Sequence, residues 1–223
     1  AFNINKASST IAATGTVTYT YNGSAQGPSS NTKTGSTGAV TYSYSGTGST
    51  NYSATSTLPK DVGTYQVIAI VASDANYESA SSTPLEFTIN KAASTITATG
   101  TITYTYNGSA QGPATNTKTG SAGAVTYSYS GTGTTTYGPS ATLPTNAGTY
   151  KVVATLASDN NYEGAVSSDY SFTINKASST ITATGTVTYT YNGSAQGPSS
   201  NTKTGSTGFV TYSYSGIGTT TYG

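Results

Sequence analysis

Two matching sets of oxygen-bearing side chains recur in this chain: Asp74, Asn76 and Glu78, and Asp159, Asn161 and Glu163. Oxygen ligands at alternate positions of one turn would suit a calcium ion. The acidic density and fixed glycine of a calcium loop are missing, so the plainer expectation is a turn whose Asp and Asn bond their own backbone. As a catalytic pair the two carboxylates have no cleft or tuning partner. Lys33, Lys118 and Lys203 recur, as do Lys6, Lys91 and Lys176. Beside Asn90 and Glu78 such a lysine would suit a lysine–asparagine cross-link, although a lysine near a strand end ordinarily guards a sheet edge. Lys60 and Asp61 become Thr145 and Asn146 in the next copy, so no function common to the copies is expected of that pair.

Twenty tyrosines stand against four phenylalanines and no tryptophan. Exposed rings at Tyr42, Tyr44 and Tyr52 would stack on a sugar face. A tyrosine alternating with Thr and Ser also works as a core or rim residue whose hydroxyl reaches water. Asn22-Gly23-Ser24 and Asn51-Tyr52-Ser53 match the glycosylation acceptor pattern, yet Asn-Gly is first a turn signal.

What is missing narrows the chemistry further. Cysteine and histidine are absent, which removes thiolate nucleophiles, the common zinc sites and histidine general bases. No cofactor is expected beyond the calcium candidate. All eight basic residues are lysine, charged residues are 7% of the chain and the net charge is +1. Steering of nucleic acid is therefore not expected. The longest apolar run, Val67 to Ala72, is far short of a membrane span. The chain opens inside a strand, so a targeting signal is expected outside this stretch.

The elements that must position these residues are strands. Val17, Tyr19 and Tyr21 alternate with Thr16, Thr18 and Thr20, and Val40, Tyr42 and Tyr44 with Thr41, Ser43 and Ser45. Period-two alternation marks half-buried strands. Asn22-Gly23 reads as a tight hairpin, and Pro28 and Pro59 as edge or strand-start residues. The longest strand is expected from Thr64 to Ser73, central in its sheet because Val67 to Val71 is apolar on both faces. Leu85, Phe87 and Ile89 form the inward side of the closing strand.

Phe87-Thr88-Ile89-Asn90-Lys91-Ala92 has counterparts at Phe2 to Ala7 and Phe172 to Ala177, 85 residues apart each time. The third copy departs from the first at about six of its 48 positions. Each occurrence is expected to be a seam where the last strand of one domain runs into the first strand of the next. The expected organisation is all-β: tandem antiparallel β-sandwich domains, with a trailing strand at 1–5, whole repeats at 6–90 and 91–175, and an incomplete one at 176–223. Ala39 and Ala124 become Phe209, and Thr47 and Thr132 become Ile217. These two apolar gains would suit a contact surface, although drift in a tolerant strand is the plainer expectation.

Gly63-Thr64-Tyr65, then Asp74-Ala75-Asn76-Tyr77, then Phe87 to Ala92 resemble the MBG-type bacterial immunoglobulin-like repeat. The second copy repeats the marks at Gly148-Thr149-Tyr150, Asp159 to Tyr162 and Phe172 to Ala177. The resemblance implies an immunoglobulin-like sandwich found in tandem in large secreted and cell-surface bacterial proteins, many of them adhesins, with no catalytic residues. The expected role is thus a non-enzymatic, extracellular stalk or spacer whose first partners are its neighbouring repeats. The alternatives are a filament of like chains joined by strand complementation and a carbohydrate-binding repeat.

Overall fold

The computed structural model describes residues 2–218, and among these there is no helix. The first repeat consists of β1 (Thr10–Thr14), β2 (Thr18–Thr20), β3 (Ser30–Thr34), β4 (Val40–Gly46), β5 (Gly63–Val71), β6 (Ala80–Ser81) and β7 (Leu85–Asn90). A small sheet pairs β1 with β3, and a larger one runs β2-β7-β5-β4 with β6 beside the end of β5. Packed face to face, they make an immunoglobulin-like β-sandwich.

The second repeat has the same plan, with β8 (Thr95–Thr99), β9 (Thr103–Thr105), β10 (Thr115–Thr119), β11 (Val125–Gly131), β12 (Gly148–Leu156), β13 (Ala165–Val166) and β14 (Tyr170–Asn175). Registers match rung for rung: Tyr65 faces Phe87 as Tyr150 faces Phe172.

One aromatic hub organises each core. Tyr65 stacks on Phe87 at 5.4 Å, while Tyr19 and Tyr44 meet the same ring edge-on at 6.1 and 6.3 Å. Val67 and Ile89 close this cluster, and Ile11 of β1 packs with Ala69 and Val71 of β5. The buried hydroxyls have partners, as burial requires. Tyr44 donates to the Pro28 carbonyl at 2.9 Å, and Tyr65 to the Asp61 carbonyl at 2.7 Å.

Several local expectations are corrected. Asn22-Gly23 makes no hairpin, because β2 pairs in parallel with β7 and the chain then crosses to the other sheet to form β3. Asn22 instead accepts the Ser24 N–H at 2.9 Å in a side-chain turn. The central strand ends at Val71, short of Ser73. Its outer face is not covered: Ile68 is half-buried and Ile70 is 37% exposed. Val17 precedes its strand and is exposed too. Pro28 and Pro59 stand outside the ladders, as a residue without an N–H must, but their rings are fully buried.

In the third copy β15 (Thr180–Thr184) pairs with β16 (Ser200–Thr204) in the register of β1 and β3. Without a counterpart of β5 packed against it among the described residues, Ile181 is 56% exposed where Ile11 is 9%. Residues 210–216, the counterpart of β4, form no strand.

Phe87→Ala is expected to destabilise the first repeat by about 3–5 kcal/mol, since three rings lose their common neighbour. Tyr44→Phe removes a single buried hydrogen bond and should cost about 1 kcal/mol. Urea titrations followed through amide signals of the first repeat check both values.

Candidate functional site

The residues singled out in the sequence for chemistry gather at the turns that follow the central strands. Asp74 Oδ1 accepts the N–H groups of Asn76 and Tyr77, each at 2.9 Å. Its Oδ2 accepts the Thr37 N–H at 2.8 Å and the Thr37 hydroxyl at 3.1 Å. Asp159 does the same, with Oδ1 on Asn161 and Tyr162 and Oδ2 on the Ala122 N–H. Each carboxylate thus ties the turn to the loop leading into β4 or β11. The Thr37 N–H, followed by those of Asn76 and Tyr77, holds the Asp74 carboxyl well below the usual carboxylate range. Asp159 is lowered by Ala122 first.

Both oxygens of Asp74 are thus engaged, by four donors in all. Glu78 and Glu163 are exposed, and their backbone N–H groups bond Ala7 and Ala92. Among the described residues no group of three or more acidic side chains converges on one point.

At the second of these turns two repeats meet. The Ala92 N–H donates to the Asn161 carbonyl at 3.0 Å and Glu163 N–H to the Ala92 carbonyl at 2.8 Å, so the entering chain is zipped to the turn. Lys91 Nζ donates to the Asp159 carbonyl at 2.7 Å. From this anchored turn Asn161 reaches back into the first repeat. Its Oδ1 accepts the Val62 N–H at 3.0 Å, and its Nδ2 donates to Asp61 Oδ1 at 3.0 Å. Beside it Tyr162 meets Tyr21 edge-on, with ring centroids 5.3 Å apart. Tyr21 is itself held by its N–H on the Asn90 carbonyl.

Asp61, Val62 and Tyr21 are functional residues that the sequence reading missed. In sequence Asp61 offers no function common to the copies because it becomes Asn146, and the residue after Asn146, Ala147, lies where the second repeat meets the third. There Tyr106 and Ala147 border a cavity of about 460 Å³ with Lys176, Ala177 and Ser179.

The remaining candidates are dispersed. Lys33 and Lys118 donate to the carbonyls of Gly38 and Gly123, and Lys6 and Lys176 are exposed. Tyr44 is a core residue, 2% exposed, and is corrected as a sugar platform. Tyr42 is half-buried and accepts from Asn31 Nδ2. Tyr52 faces a cleft of about 600 Å³, with Leu58, Lys60, Val62 and Tyr65. Tyr137, Leu143, Thr145, Ala147 and Tyr150 line a cleft of about 620 Å³ at the same place in the second repeat. Phe209 and Ile217 are both fully or almost fully exposed, on a segment without strand pairing. Ala39 and Ala124 are exposed as well, so position 209 faces water in every copy.

A family model described as MBG domain matches residues 7–93 and again 93–178. Among solved structures, Drosophila N-cadherin EC1-3 is similar over 72% of this chain at 11% identity, with a TM-score of 0.29. The chain spans 64% of that structure's length. No curated protein matches the chain.

The depressed carboxyls set an acid limb for stability. A group whose folded pKa lies below its unfolded value stabilises the fold above the unfolded value and ceases to as the pH falls through the folded one. The melting temperature should therefore drop as the pH goes below about 4. In Asp74→Asn/Asp159→Asn it should start lower and fall less steeply. Calorimetry across that window checks the sign, and added chelator is expected to leave the melting temperature unchanged.

Proposed function

The chain belongs to the MBG domain family, and from that premise we propose that it is a stiff spacer within a large extracellular bacterial repeat protein, holding an adhesive tip away from the cell surface. The observation that carries this reading is the junction. The connection after Asn90 has no free length, because Ala92 is already hydrogen-bonded inside the second repeat. Asn161 and Tyr162 then fix the orientation from the side.

Magnitudes support a defined angle between repeats. Two hydrogen bonds contribute about 1 kcal/mol each and an edge-on ring pair about 0.5–1.5 kcal/mol. The opposing conformational entropy is small, because the anchored residues are already ordered by their own repeat. A net preference of about 2–3 kcal/mol favours the docked orientation roughly thirtyfold to a hundredfold or more. A nine-residue central strand rises ~30 Å along each repeat. Reach would then be set by the number of repeats. Low charge and a Thr- and Ser-rich surface suit a rod to which little adheres. The Asp74 and Asp159 carboxylates are taken up as turn ties, which supports a non-enzymatic role.

Small-angle scattering on the whole chain tests the spacer. The expected result is a narrow, elongated distribution of dimensions that broadens in Asp61→Ala/Asn161→Ala, while the melting of each repeat changes little. A wild-type distribution already as broad as that of the variant would defeat the proposal.

A second reading, carbohydrate binding, is favoured by one observation: the Tyr52 and Tyr137 clefts recur at the same site. Each ring is locked, its hydroxyl on the Thr57 or Thr142 carbonyl and its edge on Tyr65 or Tyr150. Fixed aromatic walls with surrounding hydroxyl and amide groups suit a neutral sugar. On a glycan array, wild-type signal that disappears in Tyr52→Ala/Tyr137→Ala would establish this reading. Absence of signal from wild type would remove it.

A further inference from the structure

We propose that Asn22, Asn107 and Asn192 are self-modification sites, one per repeat, at which the chain deamidates through a cyclic imide and changes its own charge. Three observations converge on them. They are the only asparagines in the chain that precede glycine. All three are exposed, in a loop outside every strand. Each side chain is held in the same turn, Oδ1 accepting the N–H two residues on: Ser24 at 2.9 Å, Ser109 at 2.9 Å and Ser194 at 3.0 Å.

That turn sets up the reaction. Closing a ring from Oδ1 of residue i to N–H of residue i+2 encloses the intervening amide nitrogen, so the side-chain carbonyl carbon lies beside the nitrogen that must attack it. The same hydrogen bond polarises the carbonyl toward attack. Gly23, Gly108 and Gly193 carry no Cβ to block the approach, and nothing lies within 4 Å of where one would sit. Their φ values of +79°, +82° and +81° are ones that glycine adopts freely.

In the step itself the Gly23 nitrogen forms a bond to Asn22 Cγ and the Cγ–Nδ2 bond breaks. The Gly23 amide proton passes through solvent to Nδ2, which departs as ammonia. Water then opens the imide at either carbonyl, leaving aspartate or isoaspartate. Nothing is oxidised or reduced, and water is the sole co-reactant. Each conversion adds one negative charge, so three take the chain from +1 to a net of −2.

The other asparagines are followed by residues with side chains, and several are engaged. Asn31 and Asn116 donate to Tyr42 and Tyr127, and Asn161 is bound across the junction. The reactive loop is outside both sheets, so the fold should survive conversion.

The experiment is incubation of the whole chain in mildly alkaline buffer at physiological temperature, followed by intact mass and isoaspartate-resolving peptide mapping. A free peptide of sequence TYNGSAQ is run alongside, together with Asn22→Ser/Asn107→Ser/Asn192→Ser, whose hydroxyls keep an acceptor in the turn. The proposal expects a gain of about one dalton per site at these three positions, at a rate within about tenfold of the peptide, asparagine being the thermolabile partner. The triple variant should show no gain. Conversion elsewhere in the chain, or a folded chain that stays unmodified while the peptide converts, would overturn it.

Discussion

Phe87 and Ile89 lie in the core of the first repeat, and only four residues after Asn90 the chain is already β8 of the second. This continuity is the constraint on which the rest of the molecule depends. The strand that supplies the aromatic hub, pairing with β5 on one side and β2 on the other, also delivers the chain to the next repeat. Its exit point is fixed by the best-packed part of the domain. Any looseness between repeats would have to come from Lys91 to Ser94, and Lys91 and Ala92 are both held by the turn at Asp159 to Asn161.

The Asp159 turn connects the two scales of organisation. Inside the repeat its carboxylate gathers N–H groups from two separate stretches of chain, an arrangement that a charged acceptor satisfies better than a neutral one. Because the turn is shaped from within, its outer residues Asn161 and Tyr162 point at the first repeat without further ordering cost. The joint is polar and aromatic rather than broadly apolar. A repeat with this surface can end an array or continue it without exposing a large greasy patch.

Copy-to-copy differences follow this division of labour. Phe87 and Phe172, Tyr65 and Tyr150, and Asp74 and Asp159 are invariant within the chain, and each holds a core or a turn together. Asp61 and Asn146 differ, and Asp61 sits on the face presented to the following repeat. Either side chain carries an oxygen able to accept from an amide, while the charge differs. The clefts beside Tyr52 and Tyr137 differ at Lys60 and Thr145.

Period-two alternation of Tyr, Val and Thr, the repeated seam and the Asp-x-Asn-Tyr turns were all legible in the sequence. They gave the all-β class, the tandem arrangement and the central place of β5, because burial on one face of a strand must appear as alternation. Asn22-Gly23 was misread as a hairpin because a turn motif records local backbone preference and is blind to which strand the chain pairs with next. Ile70 looked buried because the apolar run around it matches a strand covered on both faces, but it points away from the β1–β3 sheet, on the outer face that no layer covers. Asp61 and Asn161 are 100 residues apart, and no periodic signal links a side chain on one repeat to a backbone N–H on its neighbour. Local patterns determined what each repeat is; the way repeats meet was decided by packing between them, since contacts distant in sequence leave no trace until the chain has folded.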